Sequence, residues 1–264
     1  MDRRRMNDAN KIARRVLGIV FAGSLLLIFY CVCSCSDYSE KALARYGLKR
    51  GQLSGRRMTG YDLKLVDLRG ENLSRSDLTR ADLSGANLER ANLEWAKLNG
   101  VVLSVVQVKG EWLYPRLSKA RLRYADLSAA IIEGADLTGA DLRNAKLKGV
   151  TIRAAVRTAP DIDFVVCGAF LRKANLRGAD LRNADLTVAL DEADLRGADL
   201  RGSSVDCSVE KTDFRKANLQ GTDLRGSTYL ETARLTAAKY DCNTKWPRGF
   251  EARKRGAILV PFAR

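Results

Sequence analysis

Between residues 135 and 147 the chain reads ADLTGADLRNAKL, with leucines at 137, 142 and 147 and an alanine two residues before each. An apolar interval of five suits neither regular element. An α-helix turns about 100° per residue, so leucines five apart stand about 140° from one another and share no face. A strand alternates sides at every residue, so an odd interval sends alternate leucines to opposite faces. The pattern can be buried only if the chain bends once every five residues.

The interval persists. Leucine or a close substitute holds it from Leu53 to Leu113, with Met58 and Val108 among the substitutes, and after a slip of one residue from Leu117 to Ile152. A third tract takes Leu171, Leu176, Leu181 and Leu186, then Leu195, Leu200 and Val205, and ends with Phe214, Leu219, Leu224 and Tyr229. Such self-similarity marks a repeat architecture. Within a unit, the alanine and leucine lie two apart and point to one side of a short extended segment. The next two residues, as in Leu176–Arg177–Gly178, suit a turn. Segment and turn together coil the chain around its own leucines, and each coil pairs with its neighbours about 4.8 Å away. The expected core ladder includes Leu137, Leu142, Leu147, Leu176, Leu181, Leu195, Leu200, Leu219 and Leu224.

The stretches ADLSGANLERANLEWAKL (81–98) and ANLRGADLRNADL (174–186) resemble the pentapeptide-repeat family, and the resemblance runs over about residues 48–240. It implies an all-β solenoid, a right-handed quadrilateral β-helix with four units per coil. About 37 units then make about nine coils and a rod about 43 Å long. The tail is similar to the end-cap of many bacterial members, with Tyr240, Asp241, Thr244, Pro247, Gly249 and Phe250 aligned. A solenoid needs such a cap to cover its last apolar coil and strand edges. Two stretches, 101–117 with Pro115 and 153–170 with Pro160, break the pattern as bulged coils or projecting loops. Function concentrates in such irregularities.

Nothing in the chain points to turnover. Histidine is absent, which removes the commonest general base and metal ligand. No CxxC pair occurs among the six cysteines. No catalytic, metal-binding or cofactor-binding residue is therefore assigned. Repeated aspartates before leucine read as lattice residues. Arg177, Arg196 and Arg215 are expected to stack on one face and Arg182 with Arg201 on the next, offset by Asp–Arg pairs between coils; a phosphate-binding ladder would need arginine columns without acidic neighbours. Trp95, Trp112, Tyr114 and Tyr124 fall within two coils of the first irregularity and form a candidate partner patch. Partial burial under the 101–117 bulge explains them equally well.

The net charge of +15 is uneven. Residues 1–60 hold 12 basic against 4 acidic side chains, and residues 241–264 hold 6 against 2, which leaves residues 61–240 at +3. Nucleic acid is therefore not the expected partner. Some members of the resembled family imitate duplex DNA, but with acidic surfaces. From Val16 to Ser36 no charge occurs, and about twenty helical residues span a bilayer core. Arg14 and Arg15 abut this run, while Asp37 and Glu40 follow it, which favours a cytoplasmic amino terminus. A lipoprotein signal processed before Cys35, the candidate lipidation site, competes with this reading, as do an ordinary cleaved signal and a buried core helix.

The chain thus divides into a basic segment 1–15, a membrane anchor or signal helix 16–36, a juxtamembrane cap 37–47, the repeats 48–240 and a basic cap 241–264. The expected function is a membrane-tethered, non-enzymatic scaffold. Its solenoid would lie outside the cytoplasm, in a periplasm or lumen, facing an unidentified protein partner. Homodimerisation through a terminal coil is compatible with this plan. The alternatives are a nucleic-acid- or topoisomerase-associated protein and a cleaved lipoprotein or secreted form of the scaffold.

Overall fold

The structure, a computed structural model, describes residues 39–108, 111–159, 162–167 and 170–261. The basic segment 1–15, the apolar run 16–36 and Cys35 lie outside them. Among the described residues no helix is long and apolar enough to cross a membrane.

Parallel pairing stacks the chain on itself along four faces. The first face carries Asp62, Asp82, Val102, Ile131, Thr151, Asp185, Ser204, Asp223 and Lys245 as successive rungs, and the second begins with Asp67, Asn87, Arg116 and Asp136. The third runs through Asn72, Asn92, Arg121, Asp141, Asn175, Asp194, Asp213 and Arg234. The fourth runs from Arg57 and Asp77 up to Lys239 and Ile258. Most rungs are single bridges, because each side is only one pentapeptide long. The first face widens into a five-stranded parallel sheet of Val102–Leu103, Ile131–Glu133, Thr151–Arg153, Asp185–Thr187 and Ser204–Val205.

One unit shows why five residues suffice. In residues 77–81, Asp77 N–H donates to Arg56 O below (2.8 Å) and Leu78 N–H to Lys97 O above (2.8 Å). Arg80 N–H also reaches upward, to Asn99 O (2.9 Å), while Ala81 N–H closes the turn onto Leu78 O (2.9 Å). The remaining donor, Thr79 N–H, is met by the Asp77 side chain (3.1 Å). All five donors are satisfied, as a buried backbone requires. The turn places its second residue at positive φ, +57° at Arg80 and +66° at Gly85. At Gly85 the absence of a side chain also matters: a Cβ there would meet Val106 Cγ2 at 2.6 Å and Leu65 Cδ2 at 2.7 Å.

The leucines meet along the axis. Leu137, Leu142, Leu147, Leu176, Leu181, Leu195, Leu200, Leu219 and Leu224 are all at most 1% exposed, with alanines such as Ala140 and Ala198 filling the corners between them. The sequence period misplaces several positions. Val108 and Leu113 lie in a hairpin and are partly exposed instead of axial. Tyr229 is 56% exposed, and Leu230 takes the core position in its place. Leu190, absent from the period, is fully buried because its side is one residue short.

Both pattern breaks are hairpins. Val106–Val108 pairs antiparallel with Glu111–Leu113, and Ala155–Ala159 with Ile162–Cys167. Residues 39–45 are helical and lay Leu43 over the first coil, where Ser39 Oγ accepts Asp67 N–H at 2.7 Å. Tyr46 stacks on Tyr61 at 3.8 Å. At the other end, Ile258–Leu259 adds to Lys239–Tyr240, and Trp246 packs between Tyr240 and Phe250. Buried Thr244 donates to Leu219 O (2.9 Å), fastening the cap.

Leu142→Ala is expected to cost about 3 kcal/mol, as for other buried leucines cut to alanine. Tyr229→Ala, at an exposed site that the five-residue period places in the core, is expected to cost under about 1 kcal/mol. Chemical denaturation of the two variants compares them directly, and equal losses would contradict the axial assignment.

Candidate functional site

The side lengths single out one corner. From the third face to the fourth every step is five residues, from Asn72–Asp77 to Arg234–Lys239. The other two regular sides also keep five until the last turn, where Thr228 to Arg234 and Lys239 to Lys245 take six. The side from the first face to the second behaves differently. Asp62 to Asp67, Asp82 to Asn87 and Ile131 to Asp136 take five, but Val102 to Arg116 takes fourteen and Thr151 to Phe170 nineteen. Asp185 to Ala189 and Ser204 to Ser208 then take four. Both hairpins and both shortened sides therefore fall on one corner. The first hairpin is seated there: Val106 lies over Gly85, and Val105 is nearly buried.

The four aromatic residues of the candidate patch do not come together. Trp95 and Tyr124 stack face to face, centroids 4.2 Å apart and 14° between planes, on the corner between the third and fourth faces. Trp95 remains 55% exposed. Trp112 and Tyr114 belong to the first hairpin and its exit, on the corner diagonally opposite, where Arg116 lies 5.4 Å from the Tyr114 ring. The insertion that carries them turns them onto another edge of the rod, so closeness in sequence misleads.

The arginines behave as columns. Arg177, Arg196 and Arg215 follow rungs Asn175, Asp194 and Asp213, and Arg182 and Arg201 follow Asp180 and Asp199 on the next face. The first column is longer than the sequence period shows. Arg123 and Arg143 occupy the same place after rungs Arg121 and Asp141. The sequence period hides them because the second hairpin lengthens the step from Asp141 to Asn175 to thirty-four residues.

The expected pairs between coils are present, as Arg177–Asp194, Arg182–Asp199 and Arg196–Asp213, but the closest partner of most column arginines is the aspartate of their own coil. In each Asp-Leu-Arg run, and in Asp213-Phe214-Arg215, the carboxylate accepts both the backbone N–H and the guanidinium of the arginine two residues on. Arg143–Asp141, Arg196–Asp194 and Arg215–Asp213 close at 2.6, 2.5 and 2.6 Å. For these arginines the contacts to the next coil are longer, 3.7 Å for Arg196–Asp213 and 3.8 Å for Arg182–Asp199. Like charges one rung apart repel by about 0.9 kcal/mol in water, and these forks offset it. Burial works to raise Asp141, Asp194 and Asp213, but their arginines outweigh it and hold all three below the ordinary carboxylate range. The Arg225 hydrogen bond holds Asp223 at about 2. Burial pushes the Cys207 thiol up to about 12, whereas Cys242 is exposed. Among the described residues no histidine, cysteine or carboxylate cluster could hold a metal ion.

The pentapeptide-repeat family model matches in 8 copies over residues 67–104, 116–155, 166–206 and 190–228. The chain belongs to this family. Pentapeptide-repeat proteins form right-handed quadrilateral β-helices, and the four ladders are that fold. No curated protein matches the sequence. Among solved structures, the chain is similar to HetL, a pentapeptide-repeat protein involved in heterocyst differentiation regulation from the cyanobacterium Nostoc sp. strain PCC 7120. The identity is 24%, over 82% of this chain and 90% of that one, with a TM-score of 0.48. It is also similar to trypsin-treated QnrB1, a plasmid-mediated fluoroquinolone resistance protein, at 15% identity over 81% and 86% of the two chains, with a TM-score of 0.55.

For this pentapeptide-repeat protein the carboxylates set an acid limit. Asp223 titrates at about 2 when folded against an ordinary 3.8, so the unfolded chain takes up its proton first as pH falls. The stability from this pairing is complete above about pH 4 and is lost as pH falls toward 2. Melting temperature is expected to hold from neutral pH to about 4 and to fall below it, with a shallower acid slope in Asp223→Asn. A wild-type profile flat down to pH 2 would contradict the pairing.

Proposed function

We propose that the protein is a membrane-tethered, non-enzymatic scaffold that engages a protein partner through the corner carrying its two hairpins. The observation behind this reading is the concentration of every insertion and shortened side before the last turn on that one corner, while the remaining lattice keeps its interval. A stacked coil tolerates extra residues only where they leave the ladder, and a turn is such a place. Two hairpins on rungs separated by a single coil stand about 10 Å apart along the axis. They form a paired projection on a rigid support, and a rigid support lowers the ordering cost of binding. The tether is proposed from the uncharged run Val16–Ser36, with the solenoid outside the cytoplasm.

Removing residues 105–113 shortens the Val102-to-Arg116 side from fourteen residues to five, the interval of its neighbours. This variant is expected to fold with unfolding free energy within about 1 kcal/mol of the parent. It is also expected to lose the partner recovered by cross-linking in native membranes. Identical cross-linked partners for variant and parent would refute the hairpin reading.

Membrane topology has its own test. Exposed Cys242 suits a membrane-impermeant maleimide, whereas the Cys207 thiol, held neutral, does not. A chain keeping Cys242 alone is expected to be labelled in right-side-out vesicles without detergent. A requirement for detergent would place the solenoid in the cytoplasm. Labelling of a chain recovered only in the soluble fraction would favour the cleaved form.

A further inference from the structure

We propose that the corner between the third and fourth faces is a binding groove for an oligophosphate anion. Arg123, Arg143, Arg177 and Arg196, with Asn144 and Gly178, line a recess of about 380 Å³ that opens to solvent. A second recess of about 290 Å³, lined by Arg177, Arg196, Gly197, Arg215 and Lys216, continues it along the rod. The two share Arg177 and Arg196, so they form one track.

The charges along this track are not all neutralised. Arg143, Arg196 and Arg215 are each paired with the aspartate of their own coil. At the corresponding rung Arg177 has Asn175, and its nearest carboxylate, Asp194 of the next coil, stands 4.0 Å away. At the rung of Arg123 there is another cation, Arg121, already committed to Glu94 at 2.9 Å, and the carboxylate that Arg123 faces, Asp141 of the next coil, is forked by Arg143. Arg123 Nε is buried without a hydrogen-bond partner, and its guanidinium lies 5.5 Å from the Tyr124 ring. The two arginines without an acid in their own coil thus flank paired Arg143 in one recess. Gly178 admits the Asn144 side chain to the floor, where an added Cβ would stand 2.5 Å from Asn144 Oδ1.

The ligand class follows from spacing and donor type. Guanidinium forks match phosphoryl oxygens, and each paired fork keeps outward N–H groups free for a second acceptor. Arg123 and Arg177 stand two rungs apart, about 10 Å along the axis. A chain of linked phosphoryl groups can follow that spacing and engage the arginines of successive rungs. The groove lies diagonally opposite the hairpins, so its occupancy is separate from the partner reading.

Calorimetric titration of the full chain in detergent with inorganic tripolyphosphate tests the proposal. Saturable binding that weakens as salt rises is expected. Arg123→Gln and Arg177→Gln should each weaken it about tenfold or more. Arg69→Gln, at a different corner and paired with Asp67 in its own coil at 3.1 Å, should leave it unchanged. Circular dichroism melts of all three variants identify any that unfold, and the two groove variants serve as checks on each other. Absence of saturable binding would overturn the proposal, as would an equal loss in Arg69→Gln. Tighter binding by a single-stranded oligonucleotide that displaces tripolyphosphate would overturn it in favour of a nucleic-acid backbone track.

Discussion

The need to satisfy every backbone donor inside a five-residue unit governs this fold. Two donors of the unit reach the coil above, one reaches the coil below, and one closes the turn. The fifth is left to the Asp or Asn side chain before leucine, as Asp77 does for Thr79. Leucine is thereby fixed on the inside and a small residue at the corner, mostly alanine and in places Val66, Val101, Val150 or Thr212. Change the count by one residue and either a donor is orphaned or a leucine leaves the axis. The structure avoids both outcomes by confining nearly all changes in count to a single corner.

That accounting explains what the sequence disclosed and what it hid. The period of five, the alanines and the Asp-Leu pairs are local, so the coil, its core and its turns follow from the residues themselves. The end-cap was legible too, because Thr244 and Asp241 do for the last coil what the lattice residues do elsewhere: Asp241 Oδ1 accepts Gly221 N–H at 2.9 Å. Which residues stack on which is not local. It depends on how many residues each insertion diverts, and the interval alone is blind to that. Val108 and Leu113 keep the interval by accident of the hairpin that contains them. Trp112 and Trp95 are neighbours in sequence yet occupy opposite edges of the rod.

The same logic assigns the outer positions their work. An aspartate needed to satisfy a turn donor is also placed to hold an arginine two residues on, so Asp-Leu-Arg serves backbone and charge together. Asp180, Asp199 and Asp223 follow this rule with Arg182, Arg201 and Arg225, with closest approaches of 2.7, 2.7 and 2.8 Å. These surface pairs each contribute little to stability. Their larger effect is to let arginines stack at one-rung spacing without net repulsion. Where the rule is broken, at Arg121 and Asn175, the column keeps its arginines but loses the acid of their own coil, leaving only that of the next.

Two edges of one rod are therefore specialised in different ways. On one, extra residues leave the lattice as hairpins and give it shape. On the other, the lattice is regular and the specialisation lies in charge, with donors in excess of acceptors and an exposed aromatic stack beside them. Because the intervening faces are tied by continuous ladders, a ligand on the charged edge has no hinge through which to move the hairpins. Any coupling between the two edges would have to come from the field of the bound anion across the rod. The rod thus holds its two specialised edges in fixed register.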